Sequence, residues 1–495
     1  MTKNTQKNNT NDKSDKDEKG ITVKKTEDMP EWYGQVVIKS GLADYSPVRG
    51  TMIIRPYGYA IWQKIMDYFN ARLKELKVEN AYFPMFIPES FFEKEAEHAE
   101  GFTPEVAWVQ NKDEDTGERL ALRPTSETIM YDSYAKWIRS HRDLPLRINQ
   151  WCNIVRWEVK DVKLFLRSRE FLWQEGHCVY CTEEECDTEA LMMLDEYAIM
   201  CRDLLALPVI QGKKSEKEKF AGAKWTSTIE AYMPDGKFLQ SGTSHNLGQG
   251  FAKAFGISYK GEDEQDHLPW QSSWGFSTRL MGALIMQHGD DKGLVLPPSI
   301  APLQIVIIPI LFDKTRESTL LEADKIKQEL SEYEIKIDDR DEYSSGWKFN
   351  QYEMQGVPLR IEIGPKDIEK NQVVVARRDT SEKCFVQRSE LFEKISSLMY
   401  DIQNNLLNKA QENIDNNIVK PKDWDEFVKA AEQRKIIFAP FCGEEDCEDI
   451  IKDETKGATS RCFPLNQKSD DLPEGCTCIQ CGKPAIGFAY FGKSY

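Results

Sequence analysis

Apolar residues at Ile61, Ile65, Phe69, Leu73 and Leu76 recur at helical spacing, which predicts an amphipathic helix with that face in a core. Residues 151–157 and 170–179 alternate in the manner of strands, joined by a charged loop holding Lys160, Asp161, Lys163 and Arg167. That pattern predicts a β-hairpin with a long tip. From Trp32 to about Pro298 helical and extended patterns mix, and near Pro302 the rhythm changes. Strands are expected over 304–310, 334–337, 359–363 and 372–376, with helices over 317–333 and 348–354, and strands alternating with helices imply an α/β domain. A long helix over 390–408 closes it. Residues 1–28 carry almost no apolar side chains and cannot offset their ordering entropy by burial. The expected layout is a disordered tail over 1–30, a mixed domain over 31–300, an α/β domain over 301–408 and a small α+β domain over 409–495.

Composition narrows the class. The chain has 495 residues, 40% hydrophobic and 30% charged, which fits a soluble, multidomain globular protein. The longest apolar run, 300–312, is too short for the roughly 20 residues a membrane helix needs and reads as a buried strand, so no membrane partner is expected. No apolar signal core opens the chain, and a cytoplasmic location follows. The net charge of -17 argues against a polyanionic partner unless basic residues cluster locally. Lys213, Lys214, Lys217, Lys219 and Lys224 form one such run, which reads equally well as a solvated loop. Twelve cysteines spread along so long a chain suit reduced thiols and a metal site better than a disulfide scaffold.

The most informative stretch is "CNIVRWEVKDVKLFLRSREFLWQEGH". Side chains alternate faces along a strand, so Arg156 and Glu158 are expected on one face, as are Arg169, Phe171, Trp173, Glu175 and His177. Unpaired charges are costly to bury, which argues against a core face. Alternating Phe and Trp argue against a merely solvated one. A ligand site satisfies both, with an outer sheet face carrying chance ion pairs as the alternative.

Val155, Arg156, Trp157 and Glu158 resemble motif 2 of the class II aminoacyl-tRNA synthetases. The resemblance implies that Arg156 holds the α-phosphate of ATP and the substrate carboxylate. A guanidinium fork suits bidentate oxyanions and stabilises charge developing at phosphorus. It further implies Glu158 at the adenine amino group, Phe171 stacked on the adenine, and Arg167 at the distal phosphates or the tRNA acceptor end. "ENAYFPMFIP" resembles the end of motif 1, with Pro84 as its marker, and implies a homodimer. "SSWGFSTRLMGALIMQHGD" resembles motif 3, with Arg279 on the γ-phosphate.

Within the class, "RPTSET", "LRSREFLWQEGH", "KFAGA", "GTSHNLGQ" and the final "FGKSY" resemble prolyl-tRNA synthetases of the archaeal and eukaryotic type, over roughly 44–495. By that resemblance Thr125 and Glu127 meet the secondary ammonium of L-proline and Arg156 takes its carboxylate. Trp173, Glu175, His177, Phe220 and His245 wall the ring, Gly275 leaves room, and Gln240 and Thr243 lie on the ATP side. The implied reaction forms prolyl-adenylate and then charges tRNA(Pro). Arg156, Arg279 and Mg²⁺ neutralise the phosphates, so catalysis comes from positioning and electrostatics. Only about a hundred residues separate motifs 2 and 3, which implies no editing insertion. The "GKSY" tail is expected to pack toward the active site.

The domain from Pro302 resembles the class IIa anticodon-binding domain, with Arg340, Lys348, Arg360, Glu362 and Lys366 as candidate contacts, since unstacked bases suit Arg and Glu hydrogen bonding. The last domain has Cys442 and Cys447 in C-x4-C spacing and Cys478 and Cys481 in C-x2-C spacing. Four thiolates from two such elements make a closed, structural zinc site, with Cys476 the rival to Cys478. Cys178, Cys181 and Cys186 imitate metal spacing but are expected to stay unmetallated if His177 lines a substrate pocket. Two other readings compete. A threonyl enzyme would need a Cys and two His on an active-site zinc, and a catalytically silent tRNA-binding paralogue would have a damaged motif 2 or 3.

Overall fold

The computed structural model describes residues 20–96, 105–110, 118–159, 162–467 and 472–495, with the side chains of 93–96 excepted. Residues 1–19 of the expected tail, and Lys160 and Asp161 of the hairpin loop, lie outside the described residues. The expected tail does not extend to residue 30. Lys25 Nζ donates to the Gly289 carbonyl at 2.7 Å, and helix α1 (Met29–Lys39) starts on an Asp28 side-chain cap with Pro30 in its first turn. An N-cap acceptor and an early proline both suit the unpaired amides of a helix start.

An antiparallel sheet carries the first domain. Its strands are β1 (Glu79–Asn80), β2 (Leu146–Val155), β3 (Glu170–Tyr180), β4 (Ile210–Lys213), β5 (Trp225–Tyr232), β6 (Phe238–Gly248) and β7 (Trp270–Ser277). They are ordered β4-β5-β6-β7-β3-β2-β1, and only β1 joins its neighbour in parallel. Two helices cover one face: α2 (Pro56–Glu75), where the apolar spacing predicted it, and α4 (Glu183–Asp203), opened by a Thr182–Glu185 capping box. Trp62, Phe69, Trp151, Tyr197, Trp274 and Phe276 pack edge to face beneath them. Gly176 makes room for this cluster, since a Cβ there would stand 2.2 Å from the Trp274 ring. With one face filled by aromatics, the opposite face is left for the chemistry. It is flanked by helix α3 (Glu127–Trp137) and by helix α5 (Arg279–His288), which begins where β7 ends.

The second domain is a five-stranded sheet built from β8 (Ile305–Pro309), β9 (Ile335–Ile337), β10 (Leu359–Ile363), β11 (Gln372–Arg377) and β12 (Lys383–Gln387). The order β9-β8-β10-β11-β12 is parallel over the first three strands and antiparallel beyond. Helices α6 (Arg316–Glu329) and α7 (Ser345–Met354) supply the crossovers. The closing helix α8 runs Leu391–Asp415, so the expected boundary at 408/409 falls inside it. Its apolar stripe continues through Leu406, Ala410 and Ile414, and nothing in that stripe stops the helix earlier.

The last segment does not build a sheet of its own. Strands β13 (Ile418–Val419), β14 (Ile436–Phe441), β15 (Ala458–Pro464) and β16 (Gly487–Lys493) extend the first sheet to eleven strands. The join is β15 against β4, with Phe463 opposite Lys213 and Pro464 opposite Gly212. Helices α9 (Trp424–Glu432) and α10 (Glu445–Glu454) cover this extension.

Candidate functional site

The open face of β3, β6 and β7 holds a cleft of about 330 Å³. Thr125, Glu127, Arg156, Phe171, Trp173, Glu175, His177, Phe220, Gln240, Thr243, His245, Gly275 and Arg279 all line it. The strand period explains most of this convergence, because β3 sends residues 171, 173, 175 and 177 to one side. Two expectations about the hairpin fail in detail. β2 ends at Val155, so Arg156 and Glu158 sit on the turn that follows, not on a strand face. Arg169 turns away from the cleft: its guanidinium donates to the Val159 carbonyl at 2.6 Å and stacks 4.2 Å over Trp157. It holds the turn that presents Arg156.

One end of the cleft is acidic and buried. Thr125 Oγ1 donates to Glu127, the first residue of α3. Glu175 Oε1 accepts from Gln150 Nε2 at 2.9 Å, and Glu175 Oε2 lies 3.1 Å from His177 Nε2. Burial alone would lift the Glu175 carboxyl, but the His177 hydrogen bond and charge outweigh it and hold it below its ordinary range. For His177 burial pulls the other way, and the Glu175 bond with the Glu127 charge raises it above its ordinary value. Its Nδ1 lies 3.0 Å from the Tyr131 hydroxyl, which fixes the ring. Two carboxylates against one imidazole leave this end poised for a cation. Glu127, Glu175 and His177 also offer atoms within 4.8 Å of one another, close enough for a metal.

The side wall is aromatic. Phe220 packs 5.0 Å from His245, whose Nδ1 lies 2.9 Å from Thr226 Oγ1 and Nε2 3.0 Å from Thr243 Oγ1. Burial and the neighbouring His177 push His245 down to about 3, so it is a neutral hydrogen-bonding ring at pH 7. Gly275 has a second reason to be glycine besides pocket space: a Cβ there would stand 2.8 Å from the Gln174 carbonyl of the adjoining strand.

The opposite end is cationic. Arg156 lies 5.7 Å from the Phe171 ring and 5.8 Å from Trp173. Burial pulls its pKa down, though an arginine this basic stays charged. Arg279 opens α5 with its Nε buried and unpartnered. Burial and then the Arg156 charge lower its pKa. Two guanidiniums close enough for the Arg156 charge to lower the pKa of Arg279, which opens a helix, make an anion site. A second cleft of about 230 Å³ continues from here past Glu158, Arg167 and Tyr495, so the final tyrosine does reach the site.

Sequence reasoning missed several lining or supporting groups. Lys214, Glu218, Lys219 and Ser273 line the cleft, and Tyr131 and Gln150 brace its acidic end. Gln150 was findable, because it stands opposite Glu175 in the hairpin. Tyr131 follows Glu127 by one helical turn. The lysine run is no basic patch. Lys214 pairs with Glu230, Lys217 with Asp449, Lys219 with Glu216 and Lys224 with Glu183, while Lys213 lies over Trp225.

The five charges of the second domain divide. Arg340 is held by Asp338 at 2.7 Å and stacks against Tyr343 and Trp347. Lys348 is buried, donating to the Asp338 carbonyl at 3.0 Å, and acts inside the domain. Arg360 bridges Glu353 and Glu362, Lys383 also donates to Glu362, and Lys366 is exposed. In the last segment Cys442, Cys447, Cys478 and Cys481 gather their sulfurs within 4.8 Å, and Cys476 is not among them. Sulfur separations of 3.6 and 3.7 Å match the edge of a tetrahedron with metal–sulfur bonds of about 2.3 Å, which is about 3.8 Å. The donor set therefore fits a closed metal site.

Three family descriptions match successive parts of the chain. Residues 108–288 match the class II core domain of the tRNA synthetases for G, H, P, S and T. Residues 304–398 match an anticodon binding domain, and 424–495 match a prolyl-tRNA synthetase C-terminal domain. The proline–tRNA ligase of Natranaerobius thermophilus is 53% identical over 460 residues, covering 92% of this chain and 94% of that protein. That of Clostridium novyi is 52% identical over 472 residues, covering 95% and 97%. A crystal structure of prolyl-tRNA synthetase from Cryptosporidium parvum, complexed with halofuginone and AMPPNP, superposes with a TM-score of 0.91 at 45% identity, covering 96% of this chain and 97% of that one.

Proposed function

This chain belongs to the proline–tRNA ligases of class II, and from that premise we propose how its residues divide the work. The enzyme activates L-proline with ATP and transfers it to tRNA(Pro). The observation that carries the residue assignment is the polarity of one cleft, acidic at one end and doubly guanidinium at the other. A zwitterion fits it in one orientation. The proline ammonium lies at Thr125, Glu127 and Glu175, its ring packs against Trp173, His177, Phe220 and His245 beside Gly275, and its carboxylate reaches Arg156.

ATP lies beyond, with its adenine on Phe171, its amino group at Glu158, its sugar near Gln240 and Thr243, and its phosphates on Arg156, Arg279 and Arg167. Mg²⁺ accompanies it as counter-ion of the phosphates. The proline carboxylate oxygen then attacks the α-phosphorus, the bond to the β-phosphate oxygen breaks, and pyrophosphate leaves. In the second step a hydroxyl of the terminal adenosine of tRNA attacks the acyl carbon and AMP leaves. Arg156 and Arg279 stabilise charge at phosphorus without moving protons.

Further roles complete the reading. Zinc on Cys442, Cys447, Cys478 and Cys481 holds the last domain and takes no part in the chemistry. The second domain reads the anticodon, with Arg340, Arg360, Glu362 and Lys366 the nearer candidates and Lys348 a support. A homodimer would cover exposed Tyr82, Phe86 and Trp137, around the edge strand β1 and Pro84. The short spacing between motifs 2 and 3 leaves misacylation to be corrected in trans. None of the helices among the described residues is long and apolar enough to cross a membrane, and a cytoplasmic site of action fits.

Amino-acid-dependent ATP–pyrophosphate exchange across the twenty amino acids tests the core of this reading. Exchange with proline, far above every other amino acid except weak alanine or cysteine, is expected. Exchange led by threonine would move the substrate, and none at all from folded, Mg²⁺-supplied protein would leave a tRNA-binding role.

A further inference from the structure

The loop after β4 contributes Lys214, Glu218, Lys219 and Phe220 to the cleft, yet it is rooted in the C-terminal domain. Ser215 Oγ donates to Glu448 Oε2 at 2.8 Å, and both residues are buried. Glu448 Oε1 accepts from the Ser460 amide at 3.1 Å and from Ser460 Oγ at 2.5 Å. One carboxylate therefore ties β15 to the root of the loop. Ser215 in turn fixes the turn that follows. Its Oγ accepts from the Glu218 amide at 3.3 Å, and its carbonyl accepts from Lys219 N at 3.0 Å. The next residue, Phe220, donates its amide to Thr226 Oγ1 at 2.9 Å. Thr226 is the residue that holds His245. A continuous set of bonds thus runs from α10 to the aromatic wall of the amino-acid cleft. At its outer edge Lys217 pairs with Asp449.

A buried carboxylate so far from the reacting atoms is expensive unless every lone pair is used. Glu448 spends its lone pairs on Ser215 and Ser460. An apolar residue would satisfy packing alone, whereas the carboxylate fixes the loop's position. We propose that Glu448 is a positioning residue for the amino-acid pocket, acting from the C-terminal domain through Ser215 to hold Phe220 against His245. This rests on the reading above that Phe220 walls the proline ring. It makes proline recognition a joint product of two domains.

The experiment compares Ser215→Ala, Ser215→Thr, Glu448→Gln, the Ser215→Ala/Glu448→Gln pair and Phe220→Ala in pyrophosphate exchange, on full-length protein with thermal melting as a control. Loss of a buried hydrogen bond to a charged group corresponds to about a tenfold change. Ser215→Ala is therefore expected to raise the KM for proline about tenfold with the KM for ATP nearly unchanged, and to lower the melting temperature by a few degrees while the protein stays folded at the assay temperature. Ser215→Thr, which keeps the hydroxyl, should restore the parent KM. The double variant should raise the KM by less than the product of the two single effects, because the two residues share the Ser215–Glu448 bond. An unchanged proline KM in Ser215→Ala, or equal rises for proline and ATP, overturns the proposal. Phe220→Ala separates the two levels. If it leaves the proline KM unchanged, the pocket reading itself fails. If it raises that KM while Ser215→Ala does not, only the Glu448 link falls.

Discussion

At the scale of single residues the site works by pairing opposite demands. Arg156 is half-buried against aromatic rings, with no carboxylate among the described residues bonded to it, so its charge is kept for a substrate anion. Arg156→Ala should cut pyrophosphate exchange at least about a hundredfold, the cost of removing one preorganised charge-stabilising donor, with an unchanged melting temperature. Near-normal exchange would sink the assignment. The histidines predict opposite pH behaviour. His245 is held at about 3, below its ordinary 6.5, so the unfolded chain takes up that proton first. Its contribution to stability is whole above about 6.5 and is lost as pH falls toward 3. His177 is raised, so its contribution is whole below 6.5 and is lost as pH rises through the raised value. Urea unfolding from pH 4 to 6.5 should thus show a shallower acid limb for His245→Asn than for the parent. Equal slopes would mean that the buried imidazole carries no such linkage. Phe171, Trp173, Glu175 and His177 were legible in the sequence because strand alternation gathers them on one face. The direction of Arg169 was not, because it lies just before β3, in the connection that packs against the turn after Val155.

Elements were legible where their patterns are local and long. The helix around Ile61 and Phe69, the two hairpin strands and the strand–helix alternation after Pro302 all lie where apolar periodicity placed them. What periodicity cannot express is which strand finds which edge. The pairing of β15 with β4 covers two residue pairs, too little backbone to fix the seam alone. Beside it Arg461 and Lys214 close on Glu230 at 2.8 and 2.7 Å. Burial would lift that carboxyl, but the Arg461 and Lys214 charges outweigh it and hold it below its ordinary range. Arg461→Met leaves Glu230 with half its partners and should destabilise the fold by about 2 kcal/mol in chemical denaturation. A neutral result would show that Lys214 and Thr228 suffice.

For the whole molecule, net charge was a misleading guide. A chain at -17 reads as unsuited to nucleic acid, and the lysine run that might have answered the objection is neutralised internally. The positive character sits instead in a few half-buried guanidiniums of the cleft, where composition cannot show it. The same long-range pairing makes the cysteine cluster more than a local clip. Sulfur separations of 3.6 and 3.7 Å are far beyond a disulfide bond of about 2.05 Å, so four close thiols in that geometry call for a cation. Cys447 shares helix α10 with Glu448, and Cys442 follows directly on β14, within the extended sheet. Cys442→Ser should therefore lose bound zinc, measured by atomic emission, and open the 424–495 segment to limited proteolysis. Through Glu448 and Ser460 it should also weaken proline binding before it weakens ATP binding. Zinc-free protein with the parent's proteolytic pattern would show that packing alone holds the C-terminal extension against the catalytic sheet.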